Sequence, residues 1–358
     1  MLIRPADYRA LVSGRRRGAG AALARAALRA AEIPYALVVD WRNHRYDRGA
    51  AAPTRAAVPV ISVGNLTLGG TGKTPLVAWL ADWFQQQGLR AAIVSRGYRA
   101  AAGRPNDEAL ELAQLLPDVP HLQNPDRVAA AREAIARWAC QLIVADDAFQ
   151  HRRLARDLDI VLLDALEPFG YGHVFPRGLL RERPSGLARA DVVVLSRADL
   201  VSTPRREEIR DRAARLAPAA QWVEVAQRPR RLLAADGRQQ DWQSLAGAPV
   251  AAFCGLGNPD GFRGTLQACG CDLAAWREFP DHHDYGPEDL AALANWVRQT
   301  GSIAAVLCTR KDLVKINRAE LGGRPLWALA IGLEVLRGEP ALLDRLSRLR
   351  DAAAVRGA

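Results

Sequence analysis

The chain has 358 residues, 49% of them hydrophobic, and a formal net charge of +10. This length and apolar content predict a folded protein of two domains. The excess charge is mostly arginine, which suits phosphate groups, anionic lipid headgroups or nucleic acid without choosing among them. The five cysteines are odd in number, lie mostly within apolar runs and have no paired C-x-x-C spacing, so neither a disulfide framework nor a zinc site is indicated. A reducing cytoplasm is the simplest interpretation.

The N-terminal residues 8–41 combine a basic cluster with an Ala/Leu-rich stretch, and the segment IPYALVVDWRNHRYDRG follows. Arg25, Arg29 and Glu32 interrupt the apolar residues, so no run reaches the roughly 18–20 residues that span a bilayer. A signal peptide is not indicated, because no small-residue cleavage site follows a suitable apolar region. Basic residues beside aromatic and aliphatic ones are typical of an amphipathic helix in a membrane interface. A helix packed on its own domain is the alternative.

Apolar strand-like runs alternate with helical ones from Val58 to Asp199. This alternation predicts a parallel sheet covered by helices on both faces, with sites at the carboxyl ends of the strands. The fold class is therefore α/β, and the glycine-rich segment GNLTLGGTGKTP after the first of these strands makes the expected sheet one of the P-loop NTPase type. The strand-like runs are VPVISV, LRAAIVSRGY, CQLIVADDAF, LDIVLLDA and ADVVVLSRAD, and helices are expected after Lys73, around Glu108–Leu116, at Arg127–Trp138 and at 202–217.

The rest of the chain opens with QWVEVAQRPRRLLAADGRQQDW, which predicts two short strands joined by a turn at Asp236-Gly237. A second alternating region, with a helix at Pro287–Gln299, predicts a smaller C-terminal α/β domain, and the tail DAAAVRGA is expected to fray. The predicted segments are an amphipathic membrane-associated part (1–45), a P-loop domain (46–217), a two-stranded linker (218–243) and the C-terminal domain (244–358).

The segment GNLTLGGTGKTP lies between a strand and an amphipathic helix, the order that a phosphate-binding loop requires. Such a loop holds phosphate oxygens with backbone N–H groups, reaches the β/γ-phosphates with its Lys and places a Ser/Thr hydroxyl on Mg²⁺. The strict spacing G-x-x-x-x-G-K-[ST] is not met, because Thr67 occupies the first glycine position. A glycine-rich turn with a chance lysine is the alternative. The candidate residues for ATP and Mg²⁺ are Gly69, Gly70, Thr71, Gly72, Lys73 and Thr74.

Two carboxylates, Asp146 and Asp147, follow a buried strand in CQLIVADDAFQHRRL. Phosphate-loop enzymes place the acidic partner of Mg²⁺ there, and a loop cap is the alternative. His151 lies five residues beyond Asp146, either to orient a carboxylate or to contact a substrate phosphate, with a plain surface histidine as the alternative. In FPDHHDYG, two histidines between carboxylates suit an acid/base pair near neutral pH better than a metal site.

Other polar segments follow predicted strands. SRAD and TRKD loosely resemble the N/T-K-x-D pattern with which some phosphate-loop proteins read guanine. Asp107 and Glu108 lie in the loop after SRGY, where a carboxylate would face the γ-phosphate. Arginines cluster around the predicted strand ends and favour a multiply phosphorylated substrate; they are Arg127, Arg152, Arg153, Arg177, Arg181 and Arg183.

Eight spaced motifs together resemble the tetraacyldisaccharide 4'-kinases of lipid A biosynthesis. In order, they are VPVISVGNLTLGGTGKTP, VSRGY, NPDRV, ADDAFQHRRLARDLDIVLLDA, PRGLLRERPSGLARAD, GLGNPDGF, FPDHHDY and TRKDLVK. The resemblance, which includes RNHRYDRG, runs from about residue 35 to 332. It implies ATP- and Mg²⁺-dependent phosphorylation of the 4'-hydroxyl of tetraacyldisaccharide 1-phosphate, giving lipid IVA.

The resemblance also implies partners and a location. The partners are the lipid substrate and an anionic membrane surface, with no nucleic acid, and the expected state is a monomer. The location is the cytoplasmic face of the inner membrane, with peripheral or monotopic attachment, which agrees with the basic N-terminus. Residues 46–217 are then the kinase domain.

Residue roles follow from the same resemblance. Lys73 and Thr74 would hold the β/γ-phosphates and Mg²⁺, with Asp146 and Asp147 at the Walker B position and Asp147 on the metal. Asp107 resembles the catalytic carboxylate, with His282 as its partner across a cleft between domains and Glu108 near the metal. Further active-site positions matched are Arg127, His151, Arg181 and Glu182. The sequence departs from the usual pattern in NDEA at Asn106–Ala109, in DDAFQH with Ala148, and in TRKD with Arg310.

Two other functions are compatible with parts of the sequence. A phosphate-loop GTPase or ATPase acting as a switch would use SRAD or TRKD as its base reader, but it leaves FPDHHDY unexplained. A basic membrane- or nucleic-acid-binding module predicts salt-sensitive polyanion binding that survives Lys73→Ala, and it ignores the phosphate loop.

Overall fold

The computed structural model describes residues 5–97, 107–256, 259–280 and 283–356. The helices are α1 (Pro5–Val12), α2 (Ala19–Asp47), α3 (Lys73–Gln86), α4 (Asp107–Leu115), α5 (Arg127–Trp138), α6 (Thr203–Leu216), α7 (Pro259–Ala268), α8 (Pro287–Gln299), α9 (Arg310–Ile316) and α10 (Glu339–Arg356). The strands are β1 (Val60–Asn65), β2 (Ala91–Ser95), β3 (His121–Gln123), β4 (Leu142–Asp146), β5 (Leu158–Asp164), β6 (Val192–Ser196), β7 (Gln221–Leu233), β8 (Gln239–Gln240), β9 (Pro249–Cys254), β10 (Asp272–Glu278), β11 (Ala305–Cys308), β12 (Glu320–Leu321) and β13 (Arg324–Arg337).

The chain divides into two compact units. Unit 1 comprises Met1–Arg96, Asp118–Ala226 and Glu334–Ala358, and unit 2 comprises Gly97–Pro117 and Gln227–Leu333. Strands β7 and β13 contribute residues to both units.

Unit 1 is built on a parallel sheet in the order β7-β6-β5-β1-β4-β2-β3. Every residue of β1 is buried, as a strand with both faces covered requires. In register, Ile61 lies opposite Val144 on β4 and Leu158 on β5, which makes β1 a central strand. The carboxyl ends of β1, β4 and β6 therefore meet at one edge, and the predicted parallel α/β sheet is confirmed.

The strands of unit 2 follow the order β10-β9-β11-β13-β7. Successive residues of β9 point to opposite faces, because side chains alternate along a strand. Ala252 and Cys254 join one buried cluster with Leu307, and Ala251 and Phe253 join another. Both faces of β9 are thus covered.

Several elements differ from the sequence-based expectation. Helix α2 continues through Pro34 to Asp47 and is longer than the expected Ala/Leu-rich stretch. The first of the two expected short strands is the 13-residue β7, because its first half pairs with β6 before Leu232 pairs with Gln240 of β8. The turn at Asp236-Gly237 is confirmed, with Gly237 in the left-handed region (φ 85°).

The C-terminal segment was also predicted incorrectly. The tail is helical as far as Arg356 rather than frayed, because α10 buries a stripe at helical spacing that includes Leu342, Leu346 and Ala353. By contacts, α10 belongs to unit 1 and residues 97–117 belong to unit 2. The predicted boundaries at 1–45, 46–217, 218–243 and 244–358 stay a prediction about functional segments, and the compact units cut the chain elsewhere.

Candidate active site

The glycine-rich loop of unit 1 connects β1, which ends at Asn65, to α3, which begins at Lys73. Gly72 occupies the N-cap position with φ 82° and Gly69 has φ 116°, backbone angles that glycine adopts without strain. Within the described residues, no side chain caps the start of α3. Its first-turn N–H groups and the positive end of the helix dipole are therefore suited to hold an anion.

Lys73 is fixed by two neighbours. Its ammonium donates to Asn65 Oδ1 at 3.0 Å and lies 3.4 Å from Asp147 Oδ1. Asn65 in turn donates to the carbonyl of Thr67 at 2.7 Å, which ties the end of β1 to the loop. Asn65 was not among the predicted site residues, although its place as the last residue of a strand before a phosphate loop was a usable signal.

Asp147 is the centre of the charged cluster. It follows the last residue of β4, the buried Asp146, and adopts a left-handed backbone (φ 50°). Arg181 Nη1 donates to both carboxylate oxygens of Asp147 at 2.8 Å. Burial alone would raise the pKa of Asp147, but attraction and hydrogen bonds from Lys73 and Arg181 lower it to about 2.

Arg127 reaches the same place from α5. Asp126 caps this helix by accepting from the N–H groups of Val128 and Ala129 at 3.0 and 3.4 Å, which sets Arg127 as its first residue. The buried guanidinium donates to the carbonyl of Asp147 at 3.4 Å. Its burial lowers the pKa of Arg127, while Asp147 raises it.

His151 is neutral near pH 7. Burial, with Arg127 and Arg153 nearby, lowers its pKa to about 4. Its Nε2 is buried without a hydrogen-bond partner among the described residues. A neutral imidazole with an unused nitrogen is a candidate hydrogen-bonding group rather than a cation.

Glu182, a predicted substrate position, is buried and fully engaged by protein donors. Its oxygens accept from Asn43 on α2 at 2.8 Å, from Gln150 at 2.9 Å and from Arg189 at 2.8 and 2.9 Å. Gly186 packs against it so closely that an added Cβ would lie 2.6 Å from Glu182 Oε2. These contacts make Glu182 an anchor that joins α2, the DDAFQH segment and the turn 184–189.

The remaining predicted positions divide into two sets. Thr71 is buried and Thr74 is half-buried as the second residue of α3, so both lie beside Lys73. The side chains of Asp107 and Glu108, and all of His282, lie outside the described residues. Within the part of the chain that the structure describes, no group of three or more His, Cys, Asp and Glu side chains forms a metal-binding cluster.

Known proteins are similar to this chain over most of its length. A family profile described as Tetraacyldisaccharide-1-P 4'-kinase matches residues 24–350. Relatives called tetraacyldisaccharide 4'-kinase include one from Anaeromyxobacter dehalogenans (strain 2CP-C), 40% identical over 342 residues and covering 90% of this chain and 89% of the relative. Another, from Syntrophus aciditrophicus, is 36% identical and covers 84% of this chain and 87% of the relative.

A solved structure is also similar. LpxK from Aquifex aeolicus, crystallised in complex with ATP, superposes with a TM-score of 0.72 at 29% identity, and the match covers 91% of this chain and 99% of that one.

Proposed function

This chain belongs to the tetraacyldisaccharide 4'-kinase family, and we infer that it is a lipid A 4'-kinase, an ATP-dependent phosphotransferase that acts on a lipid disaccharide. The acceptor that this activity requires is the sugar 4'-hydroxyl. In this transfer the bond between the γ-phosphorus and the β–γ bridging oxygen breaks, and ADP leaves. A bond from the γ-phosphorus to O4' forms, and the hydroxyl group loses its proton.

One observation carries the assignment of the nucleotide site. Lys73 lies at the start of α3 directly after the glycine-rich turn, and it is held between Asn65 and Asp147. Phosphoryl transfer depends mainly on positioning and on neutralising the charge of the phosphates. The ammonium of Lys73 is positioned by Asn65 at the end of β1 and by Asp147 after β4, and it lies at the N-terminus of α3. It can therefore both position the phosphates and neutralise their charge. We therefore assign Gly69, Gly70, Thr71, Gly72, Lys73 and Thr74 to the triphosphate of ATP.

The residues present fit Mg²⁺. This ion takes oxygen ligands and uses one or two carboxylates together with phosphate oxygens and water, so the described site needs no larger acidic cluster. Asp147, with its low pKa, is ionised at any physiological pH. We propose that Asp147 and Thr74 would hold the ion, that Glu108 would be a further ligand by the family resemblance, and that Asp146, the last residue of β4, would support Asp147 as its chain neighbour. The bound ion would supply charge neutralisation at the β- and γ-phosphate oxygens.

Arginines complete the charge balance. Arg181 and Lys73 both form ion pairs with Asp147. One carboxylate thus balances two cations, which leaves positive charge for the phosphate groups of the ligands. We propose that Arg181 and Arg127 bind phosphate oxygens of the nucleotide or of the lipid, because a guanidinium presents paired donors to such groups. His151, which is neutral, would donate or accept one hydrogen bond there.

The proton of the 4'-hydroxyl needs an acceptor. By the family resemblance we propose Asp107 as that base, with His282 as its partner. His282→Ala should then lower kcat by roughly 10²–10⁴ and keep ATP binding. An unchanged kcat would remove His282 from the mechanism.

We also propose that α2 binds the membrane surface. One face of α2 packs on the protein through Ala21, Glu32, Ala36 and Val39. On the rest of the helix, apolar side chains expose more than half of their surface; they are Leu23, Ile33, Leu37, Val38 and Trp41. Arg45 stacks over the Trp41 ring at 5.2 Å, which places a cation beside the apolar face.

That pattern suits a helix lying in the interface of an anionic bilayer. None of the helices in the described part of the chain has the length and apolar character needed to cross a bilayer. We propose attachment at the cytoplasmic face of the inner membrane by a monomer that has no nucleic-acid partner.

Vesicle flotation tests this attachment. The wild type should float with vesicles of phosphatidylethanolamine and phosphatidylglycerol. The double variant Leu37→Glu, Val38→Glu should reduce the vesicle-bound fraction about tenfold or more, because burial of each Leu or Val side chain contributes about 1.5–3 kcal/mol. Leu200→Glu, at an equally exposed leucine outside α2, is the matched control. Undiminished flotation of the double variant would place the membrane surface elsewhere.

The activity itself is tested by transfer of labelled phosphate from ATP to tetraacyldisaccharide 1-phosphate in mixed micelles. The wild type should give a bis-phosphorylated lipid, and Lys73→Ala should lose that product. A rate of nucleotide hydrolysis that does not change when the lipid is added, without a lipid product, would support a switch-type NTPase instead.

A further inference from the structure

The strand end at β6 contacts the phosphate loop of the same unit. Ser196, the last residue of β6, is buried, and its hydroxyl donates to the carbonyl of Thr71 at 2.7 Å. The same hydroxyl lies 3.3 Å from the carbonyl of Leu163 on the neighbouring strand β5. Ser196 thus joins the loop to the rigid centre of the sheet.

Arg197 makes a second contact one residue further on. Its Nη2 donates to the carbonyl of Gly70 at 2.6 Å, and its Nη1 donates to Asp164 Oδ2 at 2.8 Å. Asp164 is held in turn by the N–H of Leu166, which donates to Oδ1 at 3.1 Å. The planar guanidinium is therefore fixed at both ends, and the loop carbonyl receives a charge-assisted hydrogen bond.

The backbone at Arg197 is unusual. Its φ of 54° lies in the left-handed region, which residues other than glycine adopt rarely and at a cost. The next residue, Ala198, is completely buried. The chain thus turns sharply after β6, and Arg197 keeps a costly conformation while its side chain contacts the loop.

These contacts decide which way the loop N–H groups point. In a trans peptide the C=O and N–H bonds point in opposite directions. With the carbonyls of Gly70 and Thr71 bound by Arg197 and Ser196, the N–H groups of Thr71 and Gly72 are turned away from β6. Both donors belong to the loop assigned to the triphosphate.

We propose that Ser196 and Arg197 are positioning residues for ATP, which hold the backbone of the phosphate loop in its anion-binding conformation. The inference rests on the proposed ATP-dependent function. It gives the SRAD segment a role that does not depend on base identity, in contrast to its loose resemblance to a guanine-reading motif. Loss of either contact should weaken the binding of ATP and the binding of GTP by the same factor.

The sharpest variant is Arg197→Gly. Glycine adopts the left-handed backbone freely, so this change removes the guanidinium without adding strain. Arg197→Lys keeps a cation, and Ser196→Ala removes the second contact. Arg206→Ala is the matched control, because Arg206 forms a similarly buried ion pair with Glu224 at 3.0 Å and has no place in the proposed site.

The measurements are equilibrium binding of labelled ATP and GTP without lipid, the KM values for ATP and lipid, and the urea midpoint of unfolding. Arg197→Gly should weaken ATP binding about tenfold or more, leave the lipid KM unchanged and lower the urea midpoint no more than Arg206→Ala, which also breaks a largely buried ion pair. Ser196→Ala should act in the same direction, Arg197→Lys should recover part of the affinity, and Arg206→Ala should bind ATP like the wild type.

Two results would overturn the inference. One is wild-type ATP affinity in Arg197→Gly. The other is an equal loss of affinity in Arg197→Gly and Arg206→Ala, which would indicate a general loss of stability. A wild type that binds ATP but phosphorylates no lipid would refute the proposed function alone, because the binding comparison needs no lipid.

Discussion

Replacing Glu182 by alanine tests whether this buried carboxylate is an anchor or a substrate ligand. The change removes the acceptor for Asn43, Gln150 and Arg189 and leaves the Arg189 guanidinium, 18% exposed, without its ion-pair partner. Breaking a buried ion pair from one side costs about 3–5 kcal/mol. We expect the free energy of unfolding to fall by about that amount.

Two further variants and one control sharpen the measurement. Glu182→Gln keeps the shape of the side chain, but its amide NH₂ group faces the donors of neighbouring residues and cannot accept from them. The free energy of unfolding should therefore fall by about 1–3 kcal/mol. Gly186→Ala adds a Cβ 2.6 Å from Glu182 Oε2 and should disturb the same carboxylate without removing it. Glu208→Ala removes an exposed carboxylate from a surface pair with Arg205 and should cost at most about 1 kcal/mol.

The assay is urea unfolding followed by far-UV circular dichroism, with m-values compared to confirm that the same transition is measured. Steady-state kinetics at a temperature where all variants are folded supply the lipid KM. If Glu182→Ala unfolds within about 0.5 kcal/mol of the wild type while its lipid KM rises, Glu182 contacts the substrate and the anchor argument is wrong.

Three other predictions follow from the site. The folded-state pKa of Asp147 is lowered from 3.8 to about 2, so its ionised carboxylate stabilises the protein above pH 4 and this effect is lost as the pH falls toward 2. The difference in the free energy of unfolding between the wild type and Asp147→Asn should therefore shrink over that range, and a constant difference would contradict the ion pairs. The pKa of His151 is about 4, so an NMR titration should show its ring neutral at pH 6, and a midpoint near 6.5 would refute its burial beside arginines. Gly64→Ala would place a Cβ 2.5 Å from Phe149 Cβ, so it should destabilise the protein by about 1–3 kcal/mol, and an unchanged urea midpoint would show that the strand ends can move apart.

The sheet of unit 1 was predictable because its information is local. Each strand is a short apolar run, each helix has its own periodicity, and parallel pairing follows from their alternation. Lys73 and Asp147 were predictable for the same reason, since both follow strand ends that a parallel sheet brings to one edge. Helix α10 was missed because its Ala- and Arg-rich sequence hides the buried stripe of Leu342, Leu346 and Ala353.

The partners of these residues were not predictable. Asn43 meets Glu182 across 139 positions, and Arg197 meets Gly70 across 127. Neither contact has a periodic or motif signal, because both depend on how distant elements pack. A sequence pattern thus located the charged groups, and only the packing showed that Glu182 is engaged by protein donors.

The path of the chain through unit 1 also constrains its synthesis. The unit contains α10, yet Glu334 follows Ala226 by 108 positions. At roughly 5–20 residues per second, a ribosome needs roughly 5–20 s to cross that interval. During this time unit 1 lacks α10, whose Leu342 and Leu346 are buried in the folded chain. The packing of unit 1 is therefore completed only after all of unit 2 has been synthesised, so its last buried helix joins a sheet whose strands left the ribosome earlier.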